Sequence, residues 1–165
     1  MEFQFHRNAA LPALSWCMRL EFGLRNLTVT HGEALHRGSN FFAEGCWSGN
    51  LSGPDLLHAS VCAASGAVIE GGDLFLVTPS NTVARLYVLR LDGCLWVSNS
   101  MALLAAASGQ ALQPDYLFYQ EDLSSIIEGL DRAKQSIPLQ HGKWIELHHH
   151  CNLLVAPELN LTSLE

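Results

Sequence analysis

His148, His149 and His150 run straight into Cys151, and no other stretch of the chain gathers so many groups able to bind a metal or carry a proton. In extended backbone successive side chains alternate, so His148 and His150 share one face and His149 opposes them. A metal there needs a further ligand, for which Cys151 and His141 are the candidates. A polar strand end accounts for the triplet more simply. His31, Glu33 and His36 also lie close in sequence, but nothing sets a ligand geometry and a solvated loop accounts for them. Glu121, Asp122 and Glu128 have the positions of helix-start and surface acids. No pair of carboxylates stands out for general acid–base work. The cysteines, Cys17, Cys46, Cys62, Cys94 and Cys151, are odd in number and widely spaced, with no Cys-x-x-Cys pair. They indicate neither a zinc knuckle nor a disulfide framework, and read as reduced, mostly buried thiols. Gly-x-Gly-x-x-Gly, phosphate-loop and Gly-x-Ser-x-Gly patterns are all absent, so no cofactor is expected.

A chain of 165 residues suits one domain and is long enough to bury a core. Hydrophobic residues make up 48% and charged residues 15%, which argues against disorder. With 9 basic against 16 acidic residues the net charge is −7, and no basic stripe gathers the cations, so nucleic acid is not an expected partner. No run approaches the roughly 20 apolar residues that span a bilayer, so no membrane is expected either. The first 16 residues lack the pattern of a signal peptide, which points to the cytoplasm. In that compartment the sequons at Asn26, Asn50 and Asn160 are chance matches. The low charge also suggests that part of the surface is covered by another domain or a second copy.

Hydrophobic patterning predicts strands over residues 14–22, 27–30 and 41–47, and a short helix over 56–64 capped by Ser52 or Asp55 and closed by Gly66. Residues 73–78, 84–91 and 93–98 are rich in Leu, Val, Phe and Tyr. Asp92-Gly93 between the last two suits a type I′ turn, so residues 84–98 read as a hairpin. Ser98 or Ser100 caps a helix over 101–108 that ends at Gly109, and its all-apolar run predicts burial of Leu103 and Leu104. Helices are expected at 114–119 and 121–130, the latter with Leu123, Ile126, Ile127 and Leu130 on one face. A final hairpin should join 143–149 to 152–155. The four tryptophans, Trp16, Trp47, Trp96 and Trp144, read as core anchors. This order of elements implies an α+β domain with antiparallel sheets, and no βαβ period supports a doubly wound fold.

Arg85-Leu86-Tyr87-Val88-Leu89-Arg90, the Asp92-Gly93 turn and Leu95-Trp96-Val97-Ser98 through Leu104-Ala105-Ala106 follow one another at characteristic spacing. Together they resemble the stretch "PLYY…G…LxFASExKALLAA" of class II glutamine amidotransferases. Ser125 to Ala133, Ile137-Pro138-Leu139 and Gly142-Lys143-Trp144-Ile145-Glu146-Leu147 are similar to that family's "TIFxGIRRLPPGHYLEL". The blocks agree in order from Leu86 to Val155, the last part of the glutaminase domain of asparagine-synthetase-like proteins. The resemblance implies an N-terminal-nucleophile (Ntn) hydrolase-like sandwich: two stacked antiparallel sheets between helix layers.

The chain departs from that family where its chemistry lies. An active member carries Cys directly after the initiator Met, and its thiol attacks the glutamine amide. Here the second residue is Glu2, a side chain that also discourages removal of Met1. The "NGEIYN" and "SDTE" segments are absent, and His36-Arg37-Gly38-Ser39-Asn40 resembles "HRGPD" only in isolation. The resemblance therefore implies a degenerate glutaminase-like domain with no catalytic residues of its own. Its expected partner is a C-terminal ATP-pyrophosphatase-type domain that adenylates a carboxylate, with self-association the other route. The chain would then be the N-terminal part of a longer synthetase-like protein. A stand-alone binding module and a hydrolase with an unrecognised nucleophile are the alternatives. Tyr116, Phe118 and Tyr119 are the candidate interface anchors.

Overall fold

The structure is a computed structural model and describes residues 1–23, 26–81 and 83–164. In chain order the elements are β1 (Glu2–Arg7), β2 (Trp16–Glu21), β3 (Asn26–His31), β4 (His36–Arg37), β5 (Phe41–Trp47), α1 (Gly53–Leu57), β6 (Cys62–Glu70), β7 (Asp73–Val77), β8 (Leu86–Leu91), β9 (Cys94–Ser98), α2 (Met101–Ser108), α3 (Tyr119–Ser124), β10 (Ser136–Pro138), β11 (Trp144–His148), β12 (Asn152–Val155) and β13 (Leu161–Leu164). They form a seven-stranded sheet, β1-β3-β2-β9-β8-β11-β10, and a six-stranded sheet, β13-β12-β7-β6-β5-β4. This is a mixed domain of the α+β class with few helices. Neighbours pair antiparallel except β1 and β3, which run parallel, so the expectation of purely antiparallel sheets is corrected at this edge. The β1 strand was not foreseen, because Glu2, Gln4, His6 and Arg7 dilute its apolar signal to Phe3 and Phe5.

Period-two alternation explains how the sheets stack. Trp16, Met18 and Leu20 of β2 and Leu86 and Val88 of β8 face Phe42, Ala67, Leu74 and Leu76 of the other sheet, forming one buried cluster. The Trp16 indole meets Phe42 edge-on at 4.9 Å, and its Nε1 donates to Ser65 Oγ at 3.1 Å. The opposite residues, Cys17, Leu89, Ile145 and Leu147, pack under α2 and α3 with Leu104 and Leu123. On the outer face of the six-stranded sheet the short α1 covers Ala43, Ala64, Val68 and Val77 through Leu56 and Leu57. Gly66 lets β5 and β6 approach: a Cβ there would lie 2.0 Å from the Phe42 carbonyl oxygen.

Asp92 (φ 52°) and Gly93 (φ 73°) make the turn between β8 and β9 as expected. Ser100 caps α2 by accepting from the Leu103 amide, and Gly109 closes it at φ 68°. Other expectations are corrected. The helix expected over 56–64 is α1, ending at Leu57; Gly66 lies inside β6 and ends nothing. Residues 114–118 form a turn and irregular chain instead of a helix, Tyr119 opens α3, and 121–130 divide between α3 and 3₁₀ turns. Gly129 at φ 112° breaks any longer helix and leaves Ile127 and Leu130 exposed. Strands β11 and β12 are not a hairpin: β11 pairs with β8 and β10, β12 with β7 and β13, and His149–Cys151 carries the chain between the sheets. In α2 only Leu104 is fully buried, because alanines present little surface to cover and one face meets solvent. Of the tryptophans only Trp16 is a core anchor; Trp47 and Trp96 are half-buried and Trp144 is exposed.

Candidate functional site

Two places merit chemical scrutiny: the open mouth between the sheets and the crossover after β11. The mouth lies beside the start of β1, where a cavity of about 470 Å³ opens between Leu20 of one sheet and Leu74 and Val155 of the other. Ala156, Pro157 and Leu159 complete an apolar wall, and the carboxylates on its lining are Glu21 and Asp73. Glu21 is paired with Arg19. Among the described residues lining this cavity there is no thiol, hydroxyl or imidazole.

The crossover is richer. Glu146 and His148 are two apart on β11 and so share a face, where His148 Nε2 lies 3.2 Å from Glu146 Oε2. Arg90 of β8 donates Nε to Glu146 Oε1 at 2.9 Å and fixes the carboxylate from its other side. The hydrogen bond to His148, reinforced by Arg90, holds the Glu146 carboxyl down at about 2. Burial works to discharge the His148 ring, but hydrogen bonds to Cys151 and Glu146 outweigh it and leave its pKa raised. The same imidazole lowers the Cys151 pKa against the opposing effect of burial, and Ser163 of β13 adds a second hydrogen bond. A cavity of about 340 Å³ opens onto His148, His149, His150 and Cys151. Cys151 is half-buried, and an imidazole with a carboxylate behind it is a setting that favours a thiolate.

Strand geometry does not run through the histidine triplet. His150 takes φ 53°, so strand alternation ends with β11 and His148 and His150 are not successive residues on one strand face. Both ring nitrogens of His149 are buried without a hydrogen-bond partner. Burial, helped by Arg85, pushes its pKa down to about 4 and keeps the ring neutral at pH 7. No group of three or more His, Cys, Asp or Glu among the described residues is arranged to hold a metal. The neighbourhood of Glu146, His148 and Cys151 is not read from the sequence, where Cys151 stands as a metal-ligand candidate and as one of the reduced thiols. The Glu-x-His spacing on one strand face was the available signal.

His31, Glu33 and His36 do not converge. His31 is buried with Nδ1 at 2.6 Å from the Gly32 carbonyl, Glu33 pairs with Arg7, and His36 is exposed with its ring edge-on to Trp47. Cys17, the thiol nearest the N-terminus in sequence, faces the helix layer, where burial pushes it up to about 12. Tyr116 sits 5.8 Å from Phe118 and 4.9 Å from Tyr119, ring centre to ring centre. Tyr116 donates to Asp122, and the Tyr119 hydroxyl donates to the Pro138 carbonyl at 2.8 Å, so both are tied inward. Phe118 is 59% exposed, and Leu117 (81%), Ile127 (85%) and Leu130 (50%) are exposed as well.

Comparison with known proteins gives no match to any protein-family model, any curated protein or any solved structure. No helix among the described residues is long and apolar enough to cross a membrane.

Proposed function

We propose that this chain is a glutaminase-like domain with Ntn-hydrolase-like layering that has lost glutamine hydrolysis. It docks on an ATP-dependent amide-forming domain of the asparagine-synthetase-like kind. The layering is supported by the two stacked sheets, with α2 and α3 on one outer face and α1 on the other. The observation that carries the loss of activity is the mouth cavity beside β1, whose described lining is largely apolar with two carboxylates and no thiol, hydroxyl or imidazole. A glutaminase of this class needs a nucleophile and oxyanion donors, and removing one such donor typically costs about 10²–10³ in rate.

The docking role is supported by the exposed apolar side chains between Leu117 and Leu130. Aromatic side chains are enriched at the centres of interfaces, and a contiguous exposed apolar patch marks an interaction surface. Phe118 and Leu117 are the projecting anchors, with Tyr116 and Tyr119 as the rigid base that holds them. Sedimentation velocity with and without a separately produced ATP-pyrophosphatase-type synthetase domain tests the reading. The parent chain should co-sediment with that domain, and a Leu117→Asp/Phe118→Asp variant should not. Co-sedimentation that survives both substitutions, or a parent that stays monomeric beside the domain, contradicts it.

A further inference from the structure

We propose that the chain forms a two-fold homodimer in which β1 pairs antiparallel with β1 of a second copy. The inference stands on the open edge of the seven-stranded sheet and does not depend on the docking role. The sheet edges are β1 and β10 in one sheet and β13 and β4 in the other. Three of them are short: β4 has two residues, β10 has three and ends at Pro138, and β13 has four. Short edge strands and proline guard against edge-to-edge pairing. Strand β1 runs for six residues with neither Pro nor Lys. Just past it, Asn8 N donates to the His31 carbonyl at 2.8 Å, and Arg7 stands opposite His31. By that alternation Gln4 and His6 direct their backbone groups at β3. Phe3, Phe5 and Arg7 direct theirs to the open edge, where no other backbone group among the described residues meets them.

The strand is complementary to itself. A two-fold axis perpendicular to the sheet keeps each side chain on its own face, so residues that meet are both odd or both even. With the axis at Gln4, Phe3 meets Phe5 of the second copy and Glu2 meets its His6. At the Phe3–Phe5 positions the two strands exchange both N–H···O bonds. Within one copy these rings lie 5.9 Å apart, half-buried beside Phe42, and pairing covers their open side. Glu2 and His6 are exposed on the outer face. They fall at the closely spaced, non-hydrogen-bonded positions of the ladder, where the imidazole N–H donates to the carboxylate. Neighbouring cations are engaged away from Glu2: Arg7 pairs with Glu33, and Arg37 lies over the Phe5 ring at 5.4 Å. Alongside on β3 stand Asn26, Thr28 and Thr30, which bring no charge. Placing the axis at Phe5 instead sets His6 against Gln4 and leaves Glu2 without a base. An acid and an imidazole equidistant from Gln4 suit a second copy, whereas an arbitrary strand does not match them.

An edge-to-edge contact is small, so the dimer should be weak, with a Kd on the order of 10–100 µM. Sedimentation equilibrium of the intact chain, over concentrations spanning that range, reads it. Gln4→Cys sets two thiols across the axis within disulfide reach. Mild oxidation should link the copies, and peptide mapping by mass spectrometry should find position 4 joined to position 4. The map also separates this link from any through the exposed native thiol Cys46. His6→Cys lies on the same strand face but should not link to itself, because its two copies stand roughly 13 Å apart along the strands. Glu2→Lys removes the cross-strand pair at both ends and should weaken the dimer about fivefold. Adding His6→Glu to Glu2→Lys should restore the parent affinity. A parent that stays monomeric throughout leaves the edge to a strand of another protein and overturns the proposal. It is also overturned if His6→Cys links to itself as readily as Gln4→Cys, or if Glu2→Lys leaves the affinity unchanged. A dimer lost in Leu117→Asp/Phe118→Asp belongs to the other surface and overturns it as well.

Discussion

Replacing Leu104 by alanine should destabilise the domain far more than the same change at Leu103, although the residues are adjacent on α2. Leu104 is fully buried among Leu89, Ile137, Leu139, Ile145 and Leu147, whereas Leu103 is only partly covered. The substitution removes three carbon groups, about 2.4 kcal/mol at about 0.8 kcal/mol each. The strands beneath are held by their own ladders and can close only partly on the void, so a cavity contribution brings the cost to about 3–4 kcal/mol. With a urea slope of about 2 kcal/mol/M the midpoint should fall by about 1.5–2 M, against about 0.5 M for Leu103→Ala. Urea titrations followed by circular dichroism, with slopes compared, measure both. Coincident midpoints for parent and Leu104→Ala at equal slopes would refute the burial argument, as would a larger effect at Leu103.

Two further substitutions probe other parts of the structure. Gly66→Ala puts a Cβ 2.0 Å from the Phe42 carbonyl oxygen and 2.8 Å from the Ala43 Cα, both backbone atoms. It should cost about 3 kcal/mol or more, and thermal unfolding that matches the parent would contradict the β5–β6 spacing. Glu146 has its carboxyl lowered from 4.5 to about 2, so the stability it contributes is complete above pH 4.5 and is lost as pH falls through about 2. The full shift would correspond to about 3 kcal/mol, but with the side chain 36% exposed, solvent screening reduces it to about 1 kcal/mol. The urea midpoint of Glu146→Gln should therefore lie below that of the parent at pH 6 and converge with it near pH 2. A gap that widens on acidification refutes the pairing.

The sequence was readable where local chemistry and tertiary packing agree. Asp92-Gly93 can hardly do anything but turn two apolar runs back on each other, and Ser100 with Gly109 marks both ends of α2. It misled where long-range pairing decides. Residues 143–155 carry two strand patterns separated by His150-Cys151, which reads as a hairpin. Only the placement of β8 and β7 in different sheets shows that the intervening residues are a crossover. That error hid the setting of Cys151, because a hairpin keeps His148 and Cys151 on a solvated rim, whereas in the crossover both line one cavity. The helix expected at 114–119 is absent up to Phe118, and that at 121–130 holds as α3 only to Ser124, where Leu123 still packs on the core. Leu117 and Ile127 point to solvent, and Gly129 prevents the last turn from continuing. The apolar content that looked like core is in part surface, which is why it supports a docking role.

The central claim, a glutaminase-like scaffold without glutaminase chemistry, is tested most directly by ammonia release from L-glutamine by the purified chain. The account predicts none above a heat-inactivated control at any protein concentration, because the described lining of the mouth cavity has no thiol, hydroxyl or imidazole and Cys17 is held protonated by burial. Release that scales with protein concentration and is abolished by Cys17→Ala or Cys151→Ser would contradict it.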